Sequence, residues 1–206
     1  MIILEDKAQQ EGKHYIKGKW FADNGILVER VPLPVGDYIV GNDKTDDVIV
    51  RKSSRGLDLK KMDFLGTYAA SVDTKEHIQE IIGNVSGKSH ERFRDECILA
   101  KNNGIKLYIL IENIDGVTCI QDLFSWHNPR LDILKNSTEL IGYYRNGSPR
   151  YKRVQRYPTA TKGSSLAKTL FTMQLKYGVA FLFCKPSESG KKILELLGVD
   201  RDGKSI

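Results

Sequence analysis

The sequence predicts an α/β fold in which helices flank a central mixed sheet. Two apolar runs of strand length, at residues 107–111 and 179–184, are typical of strands buried on both faces. Amphipathic helical stretches alternate with the predicted strands, which indicates a sheet covered by helices. The chain has 206 residues, of which 40% are apolar, so it can bury a full core and is predicted to form one domain.

The first forty residues predict short strands that end near acidic residues. The elements, in order, are a strand at 2–4, the end of a helix at 20–24, a strand at 26–28 and a strand at 38–40. Asp6 follows the first strand, and Gly36 allows the backbone to bend just before Asp37. Two carboxylates are therefore expected at strand ends, although Asp6 could instead simply cap a turn.

Residues 41–70 predict an insertion that combines a hairpin with a short helix. Polar residues at 41–47 would form a turn, and the apolar residues 48–50 would pair back on residues 38–40. Residues 57–65 would form the helix.

A strand at residues 71–75 places Asp73 and Lys75 on the same face, because side chains alternate along a strand. Metal-dependent phosphodiester cleavage needs a carboxylate to hold a hard divalent cation and a cationic group to orient water or phosphate. Asp73 and Lys75 could supply one of each. The alternative is an ordinary pair of charges on a solvated strand.

Four helices are predicted after this strand. They lie at 76–82, 89–103, 164–177 and 187–197. Ser89 and either Ser164 or Ser165 are predicted N-caps, and Gly178 is in the position of a C-terminal glycine. Residues 199–206 are predicted to form a frayed tail.

Two groups of basic residues are candidates for contact with nucleic acid. Residues 143–157 contain five cations, four tyrosines and no acid, which suits a loop or hairpin (143–158) that meets phosphates and stacks on bases. Those cations are Arg145, Arg150, Lys152, Arg153 and Arg156. Lys88, Arg92 and Arg94 lie near the start of a helix, where anions are favoured. The alternatives are a solvated loop and the polar beginning of a helix.

The composition excludes several classes of protein. The net charge of +6 permits a polyanionic partner without requiring one, and three widely separated cysteines indicate reduced thiols in a cytoplasmic protein. No apolar run is long enough to span a membrane, so no membrane association is expected. Residues 161–164 lack the first glycine of a nucleotide-binding phosphate loop, so no nucleotide cofactor is expected.

In their order, these elements resemble the XPF-type nuclease domain, the excision-repair branch of the PD-(D/E)xK nuclease superfamily. The motifs that carry the resemblance are Leu4-Glu5-Asp6-Lys7-Ala8-Gln9, Gly36-Asp37-Tyr38, Asp73-Thr74-Lys75, Glu91-Arg92-Phe93 with the strand after it, and Lys176-Tyr177-Gly178-Val179. The resemblance spans nearly the whole chain. It implies a restriction-endonuclease-like fold, with a central mixed sheet flanked by helices, in a single domain at 1–198.

The resemblance also implies an activity and a set of site residues. The chain would be a Mg²⁺- or Mn²⁺-dependent DNA endonuclease that acts on flap, fork or junction DNA in repair or recombination. Asp37 and Asp73 would ligate the metal, Lys75 would position the water or phosphate, and Asp6 would be an accessory acid. Arg92 would meet substrate phosphate or brace the site.

Further implications concern assembly and origin. Domains of this type generally pair, which predicts a homodimer with its contact at the helices around Leu166 and Ile193. With no helicase before residue 1 and no helix-hairpin-helix module after residue 198, a stand-alone domain of a phage or mobile element is expected.

The chain departs from the family pattern at three points. Ala8 and Thr74 replace family arginines, and the interval from Asp37 to Asp73 is longer than usual. A rival alignment would place Val50-Arg51-Lys52 on the catalytic strand and would predict a dead nuclease. Asp73 is preferred because an acid is present and an amphipathic helix follows it. A catalytically inactive DNA-binding or protein-interaction module on the same fold is the alternative function.

Overall fold

The computed structural model describes residues 1–9 and 15–199. The strands, in chain order, are β1 (Ile2–Asp6), β2 (Leu27–Val31), β3 (Tyr38–Val40), β4 (Ala70–Lys75), β5 (Lys106–Glu112), β6 (Leu134–Tyr143), β7 (Pro149–Gln155) and β8 (Ala180–Cys184). The α-helices are α1 (Tyr15–Asp23), α2 (Asp43–Ser53), α3 (Ile78–Ser86), α4 (His90–Asn102), α5 (Gly163–Tyr177) and α6 (Ser189–Leu196). Short 3-10 turns lie at Lys61–Phe64, Ile120–Phe124, Pro129–Asp132 and Pro186–Glu188.

Six strands form one mixed sheet in the order β2-β1-β3-β4-β5-β8. Strands β1 and β2 are parallel, as are β4, β5 and β8, whereas β3 is antiparallel to both of its neighbours. Tyr38 at the start of β3 therefore pairs with Val72 of β4, which brings the turn before β3 against the end of β4. The predicted central mixed sheet flanked by helices is confirmed.

Each face of the sheet has its own apolar core, because successive side chains on a strand point to opposite faces. Ile109 of β5 lies in a core with residues of α3, α4 and α5, and its neighbour Leu110 lies in a second core with residues of α1 and α6. Both side chains are fully buried. A strand covered on both faces must be apolar throughout, which explains the continuous run at 107–111.

The prediction of a hairpin at residues 41–70 was wrong. Residues 48–50 lie inside α2, and both edges of β3 are already paired, with β1 and with β4. Asn42 begins the helix with a capping box: its side chain accepts hydrogen bonds from the backbone N–H groups of Lys44 and Thr45, at 3.0 and 3.2 Å. The helix predicted at 57–65 is limited to the 3-10 turn Lys61–Phe64.

Several helix boundaries also differ from prediction. Helix α3 continues through Gly83 to Ser86, and neither Ser164 nor Ser165 caps α5, because both lie inside its first turn. Helix α6 begins at Ser189, after a 3-10 turn. Of the tail predicted to fray, residues 200–206 lie outside the described residues.

Strands β6 and β7 pair with each other in a sheet of their own, antiparallel and separate from the central sheet. The prediction of a loop or hairpin at 143–158 is therefore resolved as a hairpin, which begins earlier, at Leu134. All three cysteines are free thiols. Within residues 1–9 and 15–199, no helix combines the length and the apolarity needed to cross a membrane.

Candidate active site

The four residues predicted to be catalytic come together in an open cleft of about 580 Å³. Asp6 lies at the end of β1, Asp37 in the turn before β3, and Asp73 and Lys75 on β4. Their side chains are largely buried, with between 3% and 8% of each residue exposed. The structure thus places the four residues in one site, and their catalytic roles stay predictions.

A glycine is required at the turn that positions Asp37. Gly36 has φ +71°, and a Cβ atom there would collide with Oγ of Ser71. The backbone N–H of Gly36 donates to Oε1 of Glu96 at 2.8 Å, and that of Asp37 donates to the carbonyl oxygen of Val72 at 2.9 Å. These bonds fasten the turn to both α4 and β4.

Hydrogen bonds fix the orientation of both predicted metal ligands. Oδ2 of Asp37 accepts from the backbone N–H of Thr74 at 2.7 Å and from its hydroxyl at 2.9 Å. Nζ of Lys75 donates to Oδ1 of Asp73 at 2.8 Å, and it lies 5.6 Å from the centre of the Phe93 ring. Thr74 therefore holds the aspartate of the turn, although the family pattern has an arginine at that position.

The cleft contains more buried acid than buried base. Burial raises the pKa of Asp73 well above its ordinary value; the charge of Lys75 opposes the shift, and Asp37 and Glu96 add to it. Burial also raises the pKa of Glu96. For Lys75, burial alone would lower the pKa, but attraction to Asp73 and Asp37 outweighs it and raises the pKa. Additional positive charge would stabilise this group of carboxylates.

The residues present fit a hard divalent cation. Oδ2 of Asp73 is buried without a hydrogen-bond partner, and the approach of Nζ of Lys75 to it at 2.7 Å is an ion-pair contact only. Within the described part of the chain, no three histidine, cysteine or acidic side chains form a ready-made ligand group. Mg²⁺ does not need one, because it keeps several waters and binds through one or two carboxylates. Asp37 and Asp73 could supply these.

The residues of the cleft that were not predicted from the sequence include Glu96 and Lys61. Glu96 shares a stripe of α4 with Arg92, Asp95 and Leu99, all of which line the cleft at helical spacing. That spacing could have indicated a second functional face on this helix. Lys61 lines the cleft from the 3-10 turn, and no sequence signal marked it because the fold of its segment was not predicted.

The basic residues near α4 differ in position. Arg92 is exposed and lines the cleft, as expected for a residue that meets phosphate. The guanidinium of Arg94 contacts Asp95 at 3.1 Å, and neither Arg94 nor the exposed Lys88 is among the residues that line the cleft. Contact with nucleic acid stays a prediction for all three.

The cations predicted on the hairpin are exposed along β7 and its flanks: Arg145, Arg150, Lys152, Arg153 and Arg156. Residues 143–157 contain no acid, but Lys152 contacts an acid of the neighbouring strand, Glu139 of β6, at 2.9 Å. The guanidinium groups of Arg130 and Arg156 lie 5.7 and 5.4 Å from the centre of the Tyr157 ring. A sixth cation, Arg130, thus lies at the base of the hairpin.

A buried amide ties the base of the hairpin to the helix after β4. Oδ1 of Asn128, which is 1% exposed, accepts from the side chain of Gln79 on α3 at 2.6 Å and from the backbone N–H of Arg130 at 3.0 Å. Its Nδ2 donates to the carbonyl oxygen of Thr161 at 2.7 Å. Because Glu80, the neighbour of Gln79 on α3, lines the cleft, the base of the hairpin is connected to the site through this helix.

The rival motif Val50-Arg51-Lys52 does not lie on a strand. All three residues belong to α2, and Lys52 binds Asp63 at 2.9 Å. The residue beside Asp37 is Thr74, the neighbour of Asp73, so β4 and not the Val50-Arg51-Lys52 segment lies beside Asp37 in the cleft.

Comparison with known proteins assigns a family. A model of the ERCC4 domain matches residues 6–197. The chain belongs to the ERCC4 domain family. No curated protein sequence matches this ERCC4 domain. The resemblance to the XPF-type nuclease domain, inferred from the order of the motifs, is confirmed.

Two solved structures have a similar fold. XPF from Aeropyrum pernix has a TM-score of 0.51 with 12% sequence identity, and covers 100% of this ERCC4 domain. XPF from Aeropyrum pernix in complex with DNA has a TM-score of 0.50 with 13% identity, and covers 95% of it. The ERCC4 domain spans 65% and 62% of those two chains. At this identity the likeness establishes the fold.

Proposed function

We propose that this ERCC4 domain is a metal-dependent DNA endonuclease that hydrolyses phosphodiester bonds in flap, fork or junction DNA. The observation that carries the proposal is the meeting of Asp37, Asp73 and Lys75 in one cleft. The family and the archaeal XPF complex with DNA add support. A repair or recombination role, and an origin in a phage or mobile element, are finer expectations of the same resemblance.

Asp37 and Asp73 would hold Mg²⁺ or Mn²⁺. A bound ion would supply Lewis-acid chemistry, by acidifying water and by neutralising the charge that builds on the phosphate. Thr74 orients the carboxylate of Asp37 through two hydrogen bonds. Lys75, which stays protonated because its pKa is raised, would donate a hydrogen bond to the attacking water or to a phosphate oxygen. Arg92 would bind an adjacent phosphate from the rim.

A cleavage assay tests the proposal. Purified protein would be incubated with flap, fork and four-way junction DNA in Mg²⁺, Mn²⁺ or EDTA. We expect cleavage with either metal, none in EDTA, and loss of cleavage in Asp73→Asn and Asp37→Asn. Asp47→Asn, which makes the same chemical change at an exposed position on α2, is the control. Cleavage that survives Asp73→Asn would show that the proposed site is wrong.

We also propose that the β6–β7 hairpin contacts the DNA backbone. The support is a set of exposed cations on a separate two-stranded sheet, with tyrosines between them. Replacing Arg150 and Arg153 with Glu should weaken binding and reduce its dependence on salt concentration. The charge-matched control replaces the exposed Lys44 and Arg51 of α2 with Glu. An unchanged salt dependence in the hairpin variant would reject this contact.

A homodimer is proposed on the family expectation, with its contact on the exposed faces of the helices that carry Leu166 and Ile193. Leu166 and Ile193 are fully buried in the two cores of the chain, so neither side chain is available to a partner. The outer surface of α5 instead carries Leu175, which is 89% exposed. Light scattering should report a dimer that Leu175→Glu converts to monomer, and a monomeric wild-type protein would contradict the proposal.

A catalytically inactive DNA-binding module is the second candidate. It is favoured by the ion pair between Lys75 and Asp73, because the ammonium group of Lys75 compensates the charge of the Asp73 carboxylate without a metal. The absence of a cation at Ala8, which lines the cleft, points the same way. DNA binding without cleavage in either metal would establish this alternative.

A further inference from the structure

One cation in the cleft has no role in the predicted site. Lys61 lines the cleft near Asp6 and Ala8, and its side chain is 52% exposed. Nζ of Lys61 lies 3.0 Å from Oδ2 of Asp6. Lys75, in contrast, is buried against Asp73. The cleft cations that reach solvent therefore include Lys61 at one end and Arg92 on α4.

The segment that carries Lys61 is firmly attached to the rest of the chain. Phe64 is fully buried in the core, and Oδ2 of Asp63 accepts from the backbone N–H of Lys60 at 2.8 Å. Lys52 of α2 contacts the same carboxylate at 2.9 Å, and this hydrogen bond is the main cause of the lowered pKa of Asp63. The backbone of the turn is thus fixed at the cleft, while the ammonium group of Lys61 extends into it.

The contact between Lys61 and Asp6 can be exchanged at little cost. An ion pair with one half-exposed partner is strongly screened by water, so it contributes little to stability. A phosphate oxygen can accept the same hydrogen bond from Lys61. Asp6 would keep the bond that its Oδ1 accepts from the backbone N–H of Leu33 at 3.1 Å. The carboxylate of Asp6 would lose its ion-pair partner but keep this hydrogen bond, and the ammonium group of Lys61 would gain the phosphate.

We propose that Lys61 binds a phosphate of the DNA backbone at the Asp6 end of the cleft. In the absence of DNA, the carboxylate of Asp6 holds the ammonium group of Lys61 in place. The proposal rests on the proposed function, in that the cleft must bind DNA. The side chain of Ala8, on the same side of the cleft, has no hydrogen-bond donor. The contact with phosphate therefore comes from another part of the chain, the 3-10 turn Lys61–Phe64.

The contribution of Lys61 can be measured as DNA affinity under conditions in which no cleavage occurs. Fluorescence anisotropy with flap DNA in EDTA, over a series of KCl concentrations, would compare wild type, Lys61→Ala, Lys61→Arg and Lys60→Ala. Lys60 is an exposed cation next to Lys61 that does not line the cleft, so its variant makes the same charge change. Thermal unfolding of each variant would detect any loss of structure.

We expect Lys61→Ala to weaken binding by about fivefold and to reduce the slope of log affinity against log salt by about one, which corresponds to one lost phosphate contact. Lys61→Arg and Lys60→Ala should keep the wild-type slope. Asp6→Asn should bind DNA at least as tightly as wild type, because a competing carboxylate charge is removed.

Two results would overturn the assignment of Lys61. One is a Lys61→Ala slope equal to that of wild type, and the other is an equal loss in Lys60→Ala, which would indicate a general effect of charge. In either case wild type still binds DNA, so the proposed function survives. Failure of wild type to bind DNA at any salt concentration would instead remove the proposed function.

Discussion

Lys75 should contribute far more to stability than Asp73, although the two residues form one ion pair. Lys75 faces Asp73, Asp37 and Glu96, each of which raises its pKa. Lys75→Met keeps most of the apolar stem and leaves a buried, uncompensated acid, a change that costs about 3–5 kcal/mol in the free energy of unfolding. Asp73→Asn loses a charged hydrogen bond but also relieves repulsion among acids, so it should cost about 1 kcal/mol.

The assay is equilibrium urea unfolding at about pH 8 and about pH 5. Because burial raises the pKa of Asp73, protonation favours the folded state as the pH falls, and a protonated Asp73 no longer needs Lys75. The loss in Lys75→Met should therefore be fully present above the folded-state pKa of Asp73 and should shrink toward acid pH. The argument that the cleft holds more buried acid than base would be refuted if both variants lost the same free energy of unfolding. It would also be refuted if the loss in Lys75→Met did not depend on pH.

Three further predictions concern parts of the structure around the cleft. Gly36→Ala should lower the free energy of unfolding in urea by at least about 2 kcal/mol, since φ is +71° and the new Cβ would meet Ser71. Gly25→Ala, where φ is +69° and the space is open, should lower it by about 1 kcal/mol. Equal losses would argue against the contact. Glu96→Gln should raise the melting temperature at about pH 8, because burial raises the pKa of Glu96 and its charged form then opposes folding. This increase in melting temperature should fade at about pH 4, where Glu96 is protonated in both the folded and the unfolded state. An increase that does not depend on pH would contradict this cause. Asn128→Ala removes three hydrogen bonds and should cost about 2–3 kcal/mol, with faster hydrogen exchange in β6 and β7 but not in β5; unchanged exchange in the hairpin would show that Asn128 does not hold it.

The alternation of side chains along strands was enough to predict the centre of the site. Asp73 and Lys75 had to share a face because they are two residues apart on a strand, and the structure has them in contact. Asp6 and Asp37 could be placed near strand ends because an apolar run or a glycine precedes each. Asp6 meets Asp37 because β1 and β3 pair antiparallel, and Asp37 meets Asp73 because β3 and β4 pair antiparallel. A local sequence pattern specifies neither pairing.

The fold of residues 41–70 could not be predicted by the same reasoning. An apolar triplet such as residues 48–50 fits one turn of a helix as well as a short strand. The capping box at Asn42 uses Thr45 instead of the usual Glu or Gln, so its signal was weak. Once α2 was mistaken for a strand, the position of Lys61 relative to Asp6 could not be inferred.

The topology leaves the hairpin free to vary. Strands β5 and β8 are parallel neighbours, and α5 alone completes the crossover between them, so the chain from β5 to α5 carries no sheet pairing that the fold needs. The β6–β7 hairpin could be replaced with a short loop, or with a hairpin of another length or charge. If the junctions lie between Arg130 and Thr161, the contacts of Asn128 are kept. A series of such chimaeras would keep the residues of the cleft constant while changing the surface beside it.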